Sequence, residues 1–315
     1  MKNATLEVLT RNLYWRVPGL ASKVASRSRR TAVEPPSSVQ GERALGALTR
    51  LLQGSGIELG HTLIVHSSDD ALRQLGVAPQ SVVDLFIDHV GEAGTVAMPA
   101  FPQLAGQPRG RDWILSTPPL PIMEYDVKRS PVMTGIMGWD LMRRPGAIRS
   151  SFPINSLAAL GRHAVEMFSH EFDGELPTAC GPNSAWSFCA RRDAWIIMLG
   201  VDVAHTLTMN HVAEDCYESE WPVRDWYRAR HARIRVDGSV HDVDIRERVP
   251  RWALYYAEGR LNADLREHGI VSDFEIGEVS VSVLRAKAHL QFLADRRASA
   301  YPYFHIPRRY RIGSS

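Results

Sequence analysis

TLIVHSSDDALRQLGVAPQSVVDLFIDHVGEAGTVAMP, residues 62–99, is the stretch that decides the fold. Its first segment, Thr62 to Val65, has the apolar run of a buried strand. Ser81 to Val90 has helical periodicity, and Gly94 to Met98 forms a second strand that Pro99 closes. A strand, a helix and a strand in this order predict a largely parallel sheet.

The same order of elements returns later in the chain. Trp195 to Leu199 has the pattern of another buried strand, and a turn at Gly200 precedes a helical run through Met209, Val212 and Ala213. We therefore expect an α/β fold with a central, mostly parallel sheet flanked by helices. Functional residues in such sheets gather where the strands end.

Two further segments complete the predicted fold. Residues 232–249 alternate around the Asp237-Gly238 turn, which indicates an antiparallel hairpin in an appended β-containing subdomain. Ser282 to Arg297 is predicted as one amphipathic helix.

Composition narrows the class of protein. The chain has 315 residues, and 37 Lys and Arg against 35 Asp and Glu give a formal net charge of +2, which is too weak to indicate a nucleic-acid partner. The three cysteines lack Cys-x-x-Cys spacing, so neither a disulfide framework nor a cysteine-rich zinc site is indicated. No apolar run is long enough to span a bilayer, and residues 1–30 lack the apolar core of a signal peptide. These features predict a cytoplasmic protein, and the sequence leaves open whether it forms a homodimer.

The two ends of the chain differ from its body. Within residues 1–30, six Arg or Lys follow residue 10, and apolar residues recur at helical spacing at Leu6, Leu9, Leu13, Tyr14 and Val17. This basic amphipathic pattern favours packing on the body over contact with a membrane surface. Residues 33–40 are predicted as a linker, because Pro35 and Pro36 interrupt regular structure. We divide the chain into an arm and linker (1–40), a main domain (41–300) that two packed lobes could build, and a basic tail (301–315).

A histidine and a glutamate in GVDVAHTLTMNHVAED, residues 200–215, are the first candidate for catalysis. His211 and Glu214 are three residues apart and therefore share one face of a helix. A carboxylate there can orient an imidazole, and an imidazole so held can act as a general base. By itself, such a pair is also common on solvated helix faces.

An ordered series of motifs gives this pair its context. LIVHSSDD occupies residues 63–70, GTVAMPAF occupies 94–101, and MLGV and HVAE occupy 198–201 and 211–214. Between them lie an Asp, a Pro-x-x-Thr-Gly element and an Arg-Pro-Gly-x-x-Arg-Ser element, made by Asp126, Pro131, Thr134, Gly135, Arg144, Pro145, Gly146, Arg149 and Ser150. In this order and spacing, the chain resembles the aminoglycoside 3-N-acetyltransferase family over approximately residues 45–300.

The resemblance implies an acyl-CoA-dependent N-acyltransferase with His211 and Glu214 as the acid-base pair. It implies that acetyl-CoA or another acyl-CoA is held by His66, Ser67, Ser68, Pro99, Ala100, Phe101 and Thr134, without a metal cofactor. Backbone N–H groups near Ser67 and Ser68 are candidate donors to the oxyanion of the reaction. On the side of the acceptor amine, the candidate residues are Asn155, Ser156, Asp202, His205 and Asp215.

The expected acceptor is an amine of an amino sugar or an aminoglycoside-like molecule. Resistance enzymes of the family carry His-Pro-x-His-Ser where this chain has Phe152, Pro153, Ile154, Asn155 and Ser156. With the net charge of +2, this change favours a biosynthetic amino sugar, including a nucleotide-linked one, over a 2-deoxystreptamine antibiotic. The narrower alternative is an aminoglycoside 3-N-acetyltransferase that confers antibiotic resistance.

Two rival functions use the same residues. His205, His211 and Glu214 also suit a metal-dependent amide hydrolase, because zinc and iron accept imidazole and carboxylate ligands. A catalytically silent binding protein would retain the fold without turnover.

Overall fold

The structure is a computed structural model that describes residues 3–17, 38–218, 223–297 and 303–312. Residues 1–2 and 18–37 of the predicted arm and linker, 219–222 and 298–300 of the main domain, and 301–302 and 313–315 of the tail lie outside these ranges. Residues 38–40, predicted as the end of the linker, are helical. Among the described residues, no helix is long and apolar enough to cross a membrane.

The strands fall into a large and a small sheet. In chain order they are β1 (Thr62–Ser67), β2 (Thr95–Pro99), β3 (Met123–Asp126), β4 (Ile148–Arg149), β5 (Leu157–Gly161), β6 (Trp195–Leu199), β7 (Tyr227–Val236), β8 (Ser239–Arg248), β9 (Val271–Ile276) and β10 (Val279–Arg285). Over the described residues, seven strands form one sheet in the order β4-β5-β2-β1-β6-β10-β9, and β3-β7-β8 form the other.

The helices cover both faces of the large sheet. They are α1 (Ala4–Arg16), α2 (Ser38–Gly54), α3 (Asp69–Leu75), α4 (Pro79–Val90), α5 (Gly110–Ile114), α6 (Ile136–Met142), α7 (Ala164–Phe168), α8 (Ala185–Arg191), α9 (Val203–Thr206), α10 (Asn210–Asp215), α11 (Glu258–Glu267) and α12 (Ala286–Arg297). Short 3₁₀ turns span Pro250–Tyr255 and Arg308–Tyr310.

The centre of the large sheet is parallel, as the sequence predicts. Strand β1 pairs in parallel with β2 and β6, and Ile64 lies opposite both Ala97 and Ile196. Strands β5 and β10 run antiparallel to their neighbours, so five of the seven strands point one way. The predicted hairpin is confirmed as β7 and β8, although β7 begins earlier, at Tyr227.

Apolar clusters fill both faces of this sheet. One contains Trp186, Val212 and Phe292 from α8, α10 and α12. The other contains Leu52 and Phe86 from α2 and α4. Burial on both faces explains why the central strands are apolar runs and do not alternate.

The predicted helix over residues 282–297 is wrong at its start. Ser282 to Arg285 belongs to β10, and α12 begins only at Ala286. Val279, Val281 and Val283 are buried at a spacing of two, which suits the pleat of a strand, and their β-branched side chains favour it.

Both terminal segments that the structure describes pack on the body, but helix α1 does not bury its leucines. Helix α1 buries Glu7 and Val8, whereas Leu9 is 62% exposed and Leu6 and Leu13 are also exposed. At the other end, Phe304 is buried and stacks on Tyr256 with ring centroids 4.4 Å apart. Both terminal segments therefore contact the region around residues 250–260.

A buried carboxyl group supports the turn that follows β4. Glu171 is 5% exposed, and it is 2.5 Å from Oγ of Ser150 and accepts the N–H of Ser151 at 3.1 Å. Burial raises its pKa from the ordinary 4.5 to about 7. Folding therefore strengthens proton binding at Glu171.

We predict that Glu171→Gln weakens the pH dependence of stability. Because the folded-state pKa is the higher one, the contribution of Glu171 is fully present below about pH 4.5 and is lost as the pH rises through about 7, a change of about 3 kcal/mol. Urea unfolding at about pH 5 and about pH 8 should show this loss in the wild type and in the control Glu175→Gln, an exposed position. An equal loss in Glu171→Gln would contradict the assignment.

Candidate active site

A cavity of about 720 Å³ lies where the three parallel strands end. The end of β1 and the start of α3 line it from His66 to Asp70. Pro99 at the end of β2 and Phe101 beyond it line a second side, and the segment after β6 lines it from Val201. Parallel strands bring their carboxyl ends to one edge of a sheet, which is why this edge collects the loops.

Thr134 fixes the turn after β2. Its hydroxyl donates to the carbonyl oxygen of Pro99 at 2.6 Å and accepts the N–H of Phe101 at 3.2 Å. Gly138 lies behind the same turn, and a Cβ there would approach the oxygen of Pro99 to 2.2 Å. The turn and α6 are therefore in direct backbone contact.

Arg149 supports the turn from the interior. It is 5% exposed, and its guanidinium donates to the carbonyl oxygen of Ala100 at 2.7 and 3.1 Å. It also donates to the carbonyls of Val127 at 3.1 Å and Ser130 at 2.7 Å. The second Arg of the Arg-Pro-Gly-x-x-Arg-Ser element therefore holds two loops together.

His66 lies in the wall of the cavity and has a buried ring nitrogen without a hydrogen-bond partner among the described residues. The side chain lines the cavity but is only 6% exposed, and burial lowers its pKa to about 4, so the ring is neutral near pH 7. Its Nε2 atom has no hydrogen-bond partner in the described part of the chain. Because this atom is itself buried, a ligand in the cavity contacts it only if the wall of the cavity shifts.

His211 and Glu214 lie together on α10. Nδ1 of His211 is 3.2 and 3.3 Å from the two carboxylate oxygens of Glu214. His211 lines the cavity, while Glu214 is 2% exposed and lies behind it. This is the geometry that the spacing of three residues predicts.

Arg248, at the end of β8, joins this pair. Its Nη1 atom donates to Oε2 of Glu214 at 2.7 Å, and its terminal nitrogens lie 3.1 and 3.3 Å from the two ring nitrogens of His211. Burial alone would raise the pKa of Glu214, but the charge of Arg248, with a smaller effect of His211, holds that pKa below its ordinary value. Glu214 is therefore ionised near neutral pH.

The residues expected on the acceptor side divide into two groups. Asn155 and His205 line the cavity, and Asn155 adopts a left-handed backbone with φ of 52°. The carbonyl of Asn155 accepts the indole N–H of Trp186 at 2.7 Å, which fixes this turn. Nδ1 of His205 contacts Oδ2 of Asp202 at 2.7 Å, so Asp202 orients a lining residue without lining the cavity itself.

Other predicted residues lie outside the cavity lining. Ala100 and Ser156 are buried, and Ser156 donates to the carbonyl of Phe152. Asp215 accepts the hydroxyl of Tyr227 at 2.8 Å and the N–H of Cys180 at 3.0 Å, and it borders a separate surface pocket. None of these three residues lines the cavity directly.

The replacements at positions 152 and 155 have different surroundings. Phe152 is buried beneath the small sheet and stacks on Phe172 with centroids 5.4 Å apart. Asn155 alone of the two lines the cavity. Only one of the two missing histidines therefore alters the cavity directly.

Several residues near the cavity were not predicted from the sequence, and three of them belong to the later part of the chain. Tyr256 and Glu258 line it, and Arg248 contacts the His211–Glu214 pair. Arg248 ends the appended hairpin, Tyr256 and Glu258 follow it, and none of the three belongs to a local motif. Only their proximity in the folded chain identifies them.

The cavity is acidic although the chain is slightly basic. Among its lining residues are the carboxylates Asp69, Asp70 and Glu258 and the guanidinium of Arg73, a formal charge of −2. The chain as a whole carries +2. The local field therefore favours cations, in contrast to the global charge.

The metal-ligand set proposed from sequence is not assembled over the described residues. There, no group of three or more His, Cys, Asp and Glu side chains is arranged to hold a metal ion. His211 pairs with Glu214 and Arg248, and His205 pairs with Asp202 and Glu258.

Comparisons with known proteins agree with this fold. A family model described as aminoglycoside 3-N-acetyltransferase matches residues 64–296. The chain is 26% identical over 268 residues to aminoglycoside N(3)-acetyltransferase VII of Streptomyces paromomycinus, covering 78% of this chain and 88% of that protein. It is 26% identical over 242 residues to aminoglycoside N(3)-acetyltransferase IV of Salmonella sp, covering 74% and 78%.

Solved structures share the architecture. The apoenzyme of aminoglycoside acetyltransferase AAC(3)-IVa superposes with a TM-score of 0.63 at 22% identity, covering 84% of this chain and 92% of that chain. A binary complex of AAC-IIIb with CoASH superposes with a TM-score of 0.62 at 20% identity, covering 84% and 98%. At these identities the likeness establishes the fold.

We predict that Arg149→Met lowers the free energy of unfolding by about 2–4 kcal/mol, because buried carbonyls lose a charged donor. The control Arg129→Met, an exposed position in the loop that Arg149 binds, should stay within about 0.5 kcal/mol of the wild type. Chemical unfolding of the three proteins measures this difference, and equal stabilities would refute the role of Arg149.

Proposed function

Because the chain belongs to the aminoglycoside 3-N-acetyltransferase family, whose model matches residues 64–296, we propose that it transfers an acyl group, acetyl in the first instance, from CoA to an amine of a cationic amino sugar. The observation that carries this proposal is the His211–Glu214 pair beside an acidic cavity at the strand ends. The acyl-CoA supplies an activated thioester carbonyl.

His211 is the general base. Free alkyl amines are mostly protonated near neutral pH, and attack on a carbonyl requires the unprotonated nitrogen. Glu214 accepts the Nδ1–H of His211, and Nε2, which also lies 3.3 Å from Nη2 of Arg248, takes a proton from the acceptor amine. The nitrogen then forms a bond to the thioester carbon, the C–S bond breaks, and the proton on His211 passes to the CoA sulfur. The second proton that the nitrogen loses as it becomes an amide is taken up by the freed His211 and released to solvent.

Arg248 balances the charge of the pair. Glu214 and Arg248 form an ion pair at 2.7 Å that carries no net charge. When His211 takes a proton, Glu214 stabilises the cation at 3.2 Å. Arg248 thus keeps the buried carboxylate of Glu214 ionised before the proton transfer to His211.

The residues around His66 suit the acyl-CoA. His66 has an unpaired Nε2 in the described structure, and Phe101 and Pro99 provide apolar surface beside it. The N–H of Ser68 already donates to the carbonyl of Leu199 at 3.2 Å. We therefore assign no oxyanion donor to Ser68, contrary to the expectation from sequence.

The acidic lining bears on the choice of acceptor. A nucleotide-linked sugar is anionic, and the carboxylates of Asp69, Asp70 and Glu258 oppose it. An amino sugar with free ammonium groups is the better match, and this class includes aminoglycosides. Expression in a susceptible bacterium tests the narrower alternative, since protection against gentamicin or kanamycin with acetylation of the drug would establish the resistance function.

We predict that acyl-CoA binding stabilises the folded protein. Acetyl-CoA at about 100 times its Kd should add about 2.7 kcal/mol to the free energy of unfolding, because it binds only the folded state. Thermal unfolding with CoA, acetyl-CoA, malonyl-CoA and larger acyl-CoAs measures this. The absence of a shift with every one of them would reject the donor class.

We predict that His211→Asn lowers kcat by about 10²–10⁴-fold while leaving the affinity for acetyl-CoA nearly unchanged, because the base acts on the acceptor proton. Glu214→Gln should have a smaller effect, and His241→Asn, an exposed position on β8, is the control. Steady-state kinetics across about pH 6 to pH 9 provide the measurement. Near-normal kcat in His211→Asn throughout that range would show that His211 is not the general base.

The two rival functions are separated by other measurements. A metal-dependent amide hydrolase would lose activity in a chelator and would carry bound metal after purification. A silent binding protein would bind acyl-CoA without acylating any member of a panel of amino sugars.

A further inference from the structure

Helix α1 is clamped to the segment that forms one end of the cavity. Asn12 donates to the carbonyl of Leu254 at 2.7 Å, and Arg11 donates to the carbonyl of Tyr256. Tyr256 and Glu258 both line the cavity. A helix far from the catalytic motifs in sequence is therefore in contact with the cavity wall.

Glu7 binds the start of α11 to α1. It is 6% exposed, and its carboxylate accepts the N–H of Gly259 at 2.7 Å and of Arg260 at 3.2 Å. The first-turn N–H groups of a helix lack partners within the helix and favour a negative charge. Glu7 thus acts as a cap that another helix supplies, and it fixes the position where α11 begins.

Arg11 connects this cap to the cavity. One terminal nitrogen, Nη2, lies 3.1 Å from Oε1 of Glu7 and 3.0 Å from Oε2 of Glu258. The side chains of Arg11 and Glu258 are mostly buried. Solvent therefore screens this ion pair less than a surface pair.

Glu258 retains binding capacity toward the cavity. His205 contacts the same oxygen, Oε2, at 3.4 Å, and Asp202 orients His205 from its other side. Among the described residues, these contacts leave Oε1 of Glu258 for a ligand. Glu7 and Glu258 share one guanidinium, so this end of the cavity has one negative charge in excess.

We propose that α1 is a functional part of the acceptor site, in which Arg11 holds Glu258 so that its carboxylate binds an ammonium group of the acceptor other than the amine that reacts. This inference rests on the proposed function. Glu258 is then a specificity residue that touches the substrate, and Arg11 is a positioning residue that acts through Glu258.

Kinetics with matched acceptors test the role of Glu258. For a diamino sugar, Glu258→Gln should raise KM by about 10- to 100-fold, as expected for loss of one charged hydrogen bond, with kcat and the KM for acetyl-CoA nearly unchanged. For a sugar with a single amine, Glu258→Gln should change little. The control Glu42→Gln, an exposed position on α2, should match the wild type with both acceptors.

A double-mutant cycle tests the role of Arg11. Arg11→Met should raise KM for the diamino sugar, and Arg11→Met combined with Glu258→Gln should be no worse than Glu258→Gln alone, because both act on one contact. Arg16→Met removes a charge from the same helix without contacting Glu258, and its kinetics should match the wild type. Thermal unfolding of each variant verifies that it is folded.

Several outcomes would overturn the inference. Unchanged KM for the diamino sugar in Glu258→Gln refutes the binding role, and an equal fall in kcat for both acceptors assigns Glu258 to chemistry instead. If the wild type binds acetyl-CoA but acylates neither sugar, the proposed function fails and the inference fails with it. If Arg11→Met is unfolded, the KM and kcat of Glu258→Gln with the two sugars still decide the matter.

Discussion

The ion pair between Arg248 and Glu214 is the interaction on which the candidate site depends. Glu214 is 2% exposed, and a carboxylate there is strongly destabilised without a partner. Arg248, which lies at the end of β8 in the small sheet, provides that partner, and its Nη1 atom is 2.7 Å from Oε2 of Glu214. The appended hairpin is therefore part of the candidate site, because it supplies the positive charge that keeps Glu214 ionised.

Much of the fold and part of the site are predictable from local sequence patterns. The strand-helix-strand order of residues 62–99 gives the parallel centre, and the spacing of His211 and Glu214 places them on one helix face. The motif series then indicates which loops meet at the strand ends. Each of these signals depends on residues that are close in sequence or on a series with fixed order.

The rest depends on contacts between distant segments. Arg248 and Glu258 have no motif of their own, and only folding brings them to His211 and His205. The leucines of α1 predict a buried face, yet the helix packs through Glu7 and Arg11, because their hydrogen bonds to residues 253–260 decide its orientation. The net charge of the chain gives the wrong sign for the charge of the cavity for the same reason, since the charge of a cavity depends on which carboxylates face it.

The most direct test of this account is a crystal structure of the protein with CoA and a diamino sugar bound together. We predict that the reacting amine lies within about 2.6–3.2 Å of a ring nitrogen of His211, close to the CoA sulfur, with the second ammonium against Glu258. A complex in which the sugar binds away from His211, or in which CoA lies outside the cavity at the ends of β1, β2 and β6, would contradict it.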